Sequence, residues 1–199
     1  MTLLTIITHV GIFIFAITGA FKARTYRMDV FGAAVLAFVT AYGGGTVRDL
    51  LINIRPYWLS DNIALILVLA STIITFLFRR NFRQFRKIIF FTDAAGIGLF
   101  TVAGIEKSLQ AGIDNVNAIL MGMITATFGG LLADLLCNTV PNLLKRGELY
   151  ATACAIGGII YIALKQTAIS DNANLLICVL IIVGIRIYSK RKRLMLPDI

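Results

Sequence analysis

TAYGGGTVRDLLINIRP, residues 40–56, recurs without a gap as TATFGGLLADLLCNTVP, residues 125–141. Nine of the 17 positions are identical at a constant offset of 85: Thr40/Thr125, Ala41/Ala126, Gly44/Gly129, Gly45/Gly130, Asp49/Asp134, Leu50/Leu135, Leu51/Leu136, Asn53/Asn138 and Pro56/Pro141. The same offset pairs Gly11 with Gly96, Phe15 with Phe100, Gly19 with Gly104, Lys22 with Lys107, Asp29 with Asp114 and Ala33 with Ala118. Shared apolar bias explains matching Leu and Ala. It does not explain Gly, Asp, Asn and Pro matching at one spacing. The chain therefore carries two copies of one unit.

Both copies are strongly apolar. Of 199 residues, 58% are hydrophobic and 15% charged, and the mean hydropathy is +0.86. A soluble domain averages about 45–50% apolar and about 25% charged, and a small one cannot hide so much apolar surface. Apolar runs fall at about 3–21, 30–53, 62–78, 88–105, 115–137, 149–164 and 175–188. Seven spans of about 20 residues use about 140 positions and leave only short loops and a tail. The sequence predicts an all-α membrane protein of seven transmembrane helices. One membrane domain, 1–199, comprises a first three-helix repeat at 5–84, a second at 88–168, a seventh helix at 172–189 and a basic tail at 190–199. Three spans are an odd number, so the second repeat enters the membrane the opposite way round. Inverted repeats of this kind build transport proteins with their sites at the repeat interface.

The charge balance is +9, from 19 Lys+Arg against 10 Asp+Glu. In a soluble chain that excess would suggest a nucleic-acid partner. Here the basic residues sit between spans and in the tail, which points to topology and to no nucleic acid. Alternate loops and the C-terminus hold 15 of the 19, which places the N-terminus outside and the C-terminus in the cytoplasm. The segment MTLLTIITHVGIFIFAITGA has no basic leader, which predicts a retained first span. Cys137, Cys154 and Cys178 are odd in number and lack metal-ligand spacing.

The second and fifth spans carry the residues that lipid does not explain. Gly43, Gly44 and Gly45, and Gly129 and Gly130, lie deep within apolar runs. They allow close helix packing, or packing together with a functional break, since paired glycines are kink sites. Steps of four residues collect Ala37, Ala41, Gly45, Asp49 and Asn53 on one ridge and Gly122, Ala126, Gly130, Asp134 and Asn138 on its counterpart. Carboxylates inside a membrane face a bundle interior or water, so the ridges line either a narrow hydrated path or a buried hydrogen-bond network. With the two helices antiparallel, Asp49 lies toward the outer mouth and Asp134 toward the cytoplasmic one, where carboxylates attract cations. Arg48 neighbours Asp49, but adjacent side chains diverge around a helix and need not pair. Its repeat partner is Ala133. His9 and Asp93 read as packed or helix-start residues, and Tyr57 and Trp58 as interfacial anchors. The basic run from Arg79 to Lys87 reads as a topology determinant that also meets anionic lipid.

GIFIFAITGAFKA, DVFGAAVLAFVTAYGGGTVRDLL, DAAGIGLFTVAG and GGLLADLL resemble the prokaryotic trimeric intracellular cation channel family, also labelled glycine-transporter-like domain proteins. The resemblance spans residues 5–165 and is most specific at Gly43–Asp49. It implies a homotrimer with a pore in each subunit, lined by glycine-kinked helices two and five. It carries over to Gly43, Gly44, Gly45, Arg48, Asp49, Gly129, Gly130 and Asp134, while Phe128 and Ala133 depart from the motif in the second repeat. The expected ion pathway comprises these eight residues with Thr40, Asn53, Thr125 and Asn138. The expected function is passive permeation of monovalent cations, chiefly potassium, in the prokaryotic inner membrane. Transport of a small zwitterion such as glycine is the alternative. No nucleophile with a placed base and no phosphate loop is present in the sequence, so neither an enzyme nor a cofactor is expected.

Overall fold

A computed structural model describes residues 3–77, 82–145, 149–192 and 194, with side chains from 90 onward in the fourth helix. Seven α-helices are present among these residues: α1 (Leu3–Thr25), α2 (Val30–Leu51), α3 (Asn62–Leu77), α4 (Phe82–Gln110), α5 (Asn115–Leu136), α6 (Ala151–Lys165) and α7 (Asp171–Lys192). A 3-10 turn at Tyr57–Leu59 joins α2 to α3. Of the basic residues behind the topology expectation, Arg79, Arg80, Arg146 and Arg193 lie outside the described residues, as do the side chains of Arg83, Arg86 and Lys87.

Four helices, α1, α2, α5 and α7, are long and apolar enough to cross a membrane. At 1.5 Å per residue, the 22 residues of α2 and of α5 span about 33 Å, against a hydrocarbon core of about 30 Å. The chain is a membrane protein. Helices α3 and α6 are apolar but shorter, at 16 and 15 residues.

Each repeat starts and stops its central helix by the same local chemistry. Asp29 caps α2 by accepting from the Gly32 N–H at 2.7 Å, and Asp114 caps α5 by accepting from Val116 and Asn117. At the other end, Asn53 (φ 55°) and Asn138 (φ 52°) adopt the left-handed conformation. The next amides return to Asp49 O and Asp134 O at 2.8 and 3.0 Å, and the Asn amides to Leu50 O and Leu135 O. These paired bonds satisfy the last carbonyls of a helix, and Asn tolerates the required φ better than any other residue with a Cβ. Asn53 and Asn138 thus end their helices and are exposed. They do not continue the ridges of Asp49 and Asp134, because the helices on whose phase that expectation depends end two residues earlier, at Leu51 and Leu136.

The two repeats pack as an antiparallel pair. Gly44 of α2 faces the Thr125 and Ile124 carbonyls of α5, while Gly129 of α5 faces the Thr40 carbonyl of α2. As the number rises from 40 to 44 on one helix, its partner falls from 129 to 125, so the helices run oppositely. The relation repeats in the outer layer. Gly11 of α1 meets Phe100 of α4, Gly96 meets Phe15, and the two rings pack at a tilt of 54° with centroids 5.0 Å apart. Gly19 abuts Ala37 and Thr40, and Gly104 abuts Gly122 and Thr125. Each of these contacts i–j has a partner displaced by 85, which is the signature of two-fold symmetry within one chain. Helix α7 stands outside this symmetry and packs on α4 and α6.

Helices α2 and α5 are helical at every residue through their glycines. The backbone is not unwound at these positions. What the missing side chains provide is approach: a Cβ on Gly44 would stand 2.8 Å from Ile124 O, closer than such atoms come.

Candidate functional site

Two cavities flank this crossing. The one at the Asp49 end is about 180 Å³ and is lined by Gly45, Arg48, Asp49, Tyr57, Lys107 and Thr125, among others. The one at the Asp134 end is about 550 Å³, and its lining includes Thr40, Lys22, Gly130, Asp134, Tyr150 and Arg186. The threonines are exchanged across the crossing: Thr125 of α5 faces the Asp49 cavity and Thr40 of α2 faces the Asp134 cavity. Each hydroxyl donates back to its own helix, to Met121 O and Leu36 O at 2.6 Å.

Asp49 is fully buried and carries four hydrogen bonds. Its Oδ1 accepts from Arg48 Nε at 2.9 Å and Nη2 at 2.6 Å. Its Oδ2 accepts from Lys107 Nζ at 3.2 Å and from the Tyr57 backbone N–H at 3.1 Å. Arg48 and Asp49 therefore do pair, which helix geometry alone had left open. The guanidinium lies on a stem long enough to wrap around the last turn of α2, and burial leaves both charges few other partners. The remaining arm of Arg48, Nη1, reaches Thr125 Oγ1 at 3.4 Å, so this one side chain ties α2 to α5.

Asp134 is held in the same frame with one member missing. Lys22 Nζ donates to its Oδ1, and the Asn142 backbone N–H donates to its Oδ2 at 2.8 Å. Tyr57 and Asn142 are 85 residues apart, as are Lys107 and Lys22. Each repeat thus contributes a lysine from its first helix to the carboxylate of the other repeat. Arg48 has only the buried Ala133 as counterpart, so the Asp49 cluster holds two cations on one carboxylate and the Asp134 pair is balanced.

The expected residues thus separate into groups. Gly43, Gly44 and Gly129 form the crossing itself, where Gly43 faces Leu132 and the Gly129 Cα. Gly45, Arg48, Asp49 and Thr125 meet at one cavity, and Thr40, Gly130 and Asp134 at the other. Asn53 and Asn138 join neither. Lys22, Lys107 and Tyr57 were absent from the expected pathway, although the offset of 85 already paired the lysines.

The segment 57–61 roofs the Asp49 cavity. Trp58 and Tyr57 are half-buried against the protein: the indole donates to Thr46 Oγ1 at 3.1 Å and packs edge-on against Phe38. The Tyr57 hydroxyl donates to Asp61, which also meets His9 Nε2 at 2.8 Å. Burial pushes the Asp61 carboxyl up, but the hydrogen bonds from Tyr57 and then His9 outweigh it and hold it below the usual carboxylate range.

The family model described as "Glycine transporter" matches the chain twice, at residues 5–80 and 90–166. A UPF0126 inner membrane protein of Escherichia coli is 39% identical over 154 residues, covering 76% of this chain and 74% of its own. A solved TRIC trimeric intracellular cation channel orthologue from Rhodobacter sphaeroides superposes with a TM-score of 0.90 at 34% identity, covering 98% of this chain and all of the other. The chain belongs to the trimeric intracellular cation channel family. A further structure, solved to explain conductance through TRIC cation channels, covers the whole chain with a TM-score of 0.89 at 33% identity. In this chain the crossing of α2 and α5 lies between the two cavities.

Proposed function

We propose that the chain is a cation channel whose permeation path in each subunit runs from the Asp49 cavity to the Asp134 cavity past the glycine crossing of α2 and α5. The observation that carries this reading is the pair of cavities on either side of one tight crossing, each with an anionic side chain bolted to the opposite repeat by a lysine. The lysines close both ends, so the conformation described is a shut one. Parting Lys22 from Asp134 and Lys107 from Asp49 would free a carboxylate at each mouth, and such charges concentrate cations and oppose anions. The permeant ions are monovalent cations, chiefly potassium. The relatives are described as cation channels, and one of them as trimeric, which supports a homotrimer with three separate paths. The E. coli relative is an inner membrane protein, which supports the same location here, with the N-terminus and the Asp49 cavity outside and the tail against anionic lipid headgroups.

A carrier for a zwitterion such as glycine would use the same opposed charges to grip an ammonium and a carboxylate. Arg48 and Asp49 are spent on each other, which supports the channel reading over that one. Single-channel recording tests the assignment. Asp134→Asn is expected to lower cation current or its selectivity over chloride, and Arg48→Gln to raise cation entry from the Asp49 side. Unchanged selectivity and current in both well-folded variants would remove these residues from the path.

A further inference from the structure

Gly45 and Gly130 are equivalent under the internal two-fold, and each opens to its cavity rather than to the opposing helix. The atom nearest to a Cβ on Gly45 is Arg48 Nη2, at 3.8 Å. At Gly130 the place is taken by the Tyr150 hydroxyl, at 3.4 Å. Ala133, which stands where Arg48 stands, is too short to reach this point. Tyr150 comes instead from the N-cap of α6 and is fixed from two sides. Its hydroxyl donates to Asp93 Oδ1 of α4 at 3.3 Å, and the Arg186 guanidinium of α7 covers its ring at 4.3 Å. Arg186 Nη2 also donates to Asp93 Oδ2 at 2.9 Å, so one carboxylate holds both the phenol and the cation stacked on it. The first repeat has Thr8 and Leu65 at the positions matching Asp93 and Tyr150. This three-residue latch is therefore an addition to the repeat, and α7 supplies part of it.

We infer that the Tyr150 phenol is the constriction of the path at the Asp134 end, with Asp93 and Arg186 as its positioning residues. The inference rests on the channel reading above and gives the seventh helix a part in gating. Beside the lysine closures it makes the two ends chemically unlike: at the Asp49 end a second cation, Arg48, stands beside the cavity glycine, whereas at the Asp134 end a phenol hydroxyl takes that place and the Arg186 cation lies behind its ring. A charged barrier near one end makes an ion's energy profile lopsided, whereas a neutral gate alters how often the path opens.

Purified protein in planar bilayers with symmetric potassium chloride separates these roles. Tyr150→Phe keeps the ring and its stacking but removes the hydroxyl over Gly130. Loss of one such hydrogen bond is expected to raise the open-to-closed ratio about two- to tenfold, with single-channel conductance and melting temperature near those of the parent. Tyr150→Ala and Arg186→Gln are expected to move the ratio at least as far, and Arg186→Lys, which keeps a cation for Asp93, less far. Arg48→Gln is expected to change rectification instead. If Tyr150→Phe and Arg186→Gln are folded trimers that gate like the parent while Arg48→Gln alters the current, the inference is overturned and the channel reading stands. If the parent itself passes no cation current, both fall together. Should Tyr150→Ala fail to assemble, Tyr150→Phe decides.

Discussion

Replacing Gly44 by alanine adds one methyl group at the crossing on which the whole pathway depends. Its Cβ would stand 2.8 Å from Ile124 O and closer still to Thr125 O, both rigid backbone atoms, whereas ordinary contact begins near 3.4 Å. Helices α2 and α5 must then part by at least about 0.6 Å, which loosens the reciprocal seat of Gly129 on Thr40. Overpacking costs typically 1–3 kcal/mol, and a backbone clash belongs at the upper end. Alanine recovers about 1 kcal/mol of helix propensity over glycine. The net is about 2 kcal/mol, or a fall of about 4–8 °C in Tm for a chain of this length. Gly45→Ala is the control one residue away, where the new Cβ meets nothing nearer than Arg48 Nη2 at 3.8 Å. It should melt at or slightly above the parent temperature. Gly44→Ala with Gly129→Ala should cost less than the sum of the singles, because one separation of the helices relieves both clashes. Thermal melting in mild detergent measures all four proteins. A Gly44→Ala protein as stable as the parent, or a Gly45→Ala protein damaged equally, would refute the crossing as the close contact that the missing side chains permit.

Three further outcomes follow from the same geometry. Asp49→Asn leaves the buried Arg48 and the half-buried Lys107 around a neutral amide and is expected to cost about 3–5 kcal/mol, whereas Lys107→Met, which leaves the Arg48–Asp49 pair intact, is expected to cost less; chemical denaturation compares them. Asn53→Gly should be neutral within a few tenths of a kcal/mol and Asn53→Val should cost about 1–2 kcal/mol, because φ is 55° there; melting temperatures check both. The Asp61 carboxyl is held below its ordinary value in the folded protein, so its contribution is complete above about pH 3.9 and is lost as pH falls through the lower folded value; Asp61→Asn should flatten that part of a stability-against-pH curve.

The offset of 85 made most of the architecture readable, because residues that repeat at one spacing and also meet across a two-fold axis must match in pairs. Gly44/Gly129, Thr40/Thr125 and Phe15/Phe100 are such pairs, and the antiparallel crossing follows from them. The lysine bridges were equally present in that pairing. They stayed hidden because the step from Lys22 to Asp134 depends on how far α1 reaches past α5, which no periodicity within one helix records. The ridge reading misplaced Asn53 and Asn138 by extending a four-residue step past the end of the helix. Their pairing with each other was correct and their cause was a backbone turn. The Arg48–Asp49 pair was left open by the divergence of adjacent side chains and forms because burial favours a bent, paired arginine over a straight, solvated one. Tyr150 has the unlike Leu65 as its repeat counterpart and Arg186 lies outside the repeat, so neither had an internal signal.

The most direct test of the channel account is purified protein in liposomes, with potassium flux measured beside uptake of labelled glycine. The account predicts potassium flux that follows the electrochemical gradient, carries current, and does not saturate at low concentration, with no glycine accumulation. Saturable glycine uptake by vesicles that show no potassium conductance would contradict it.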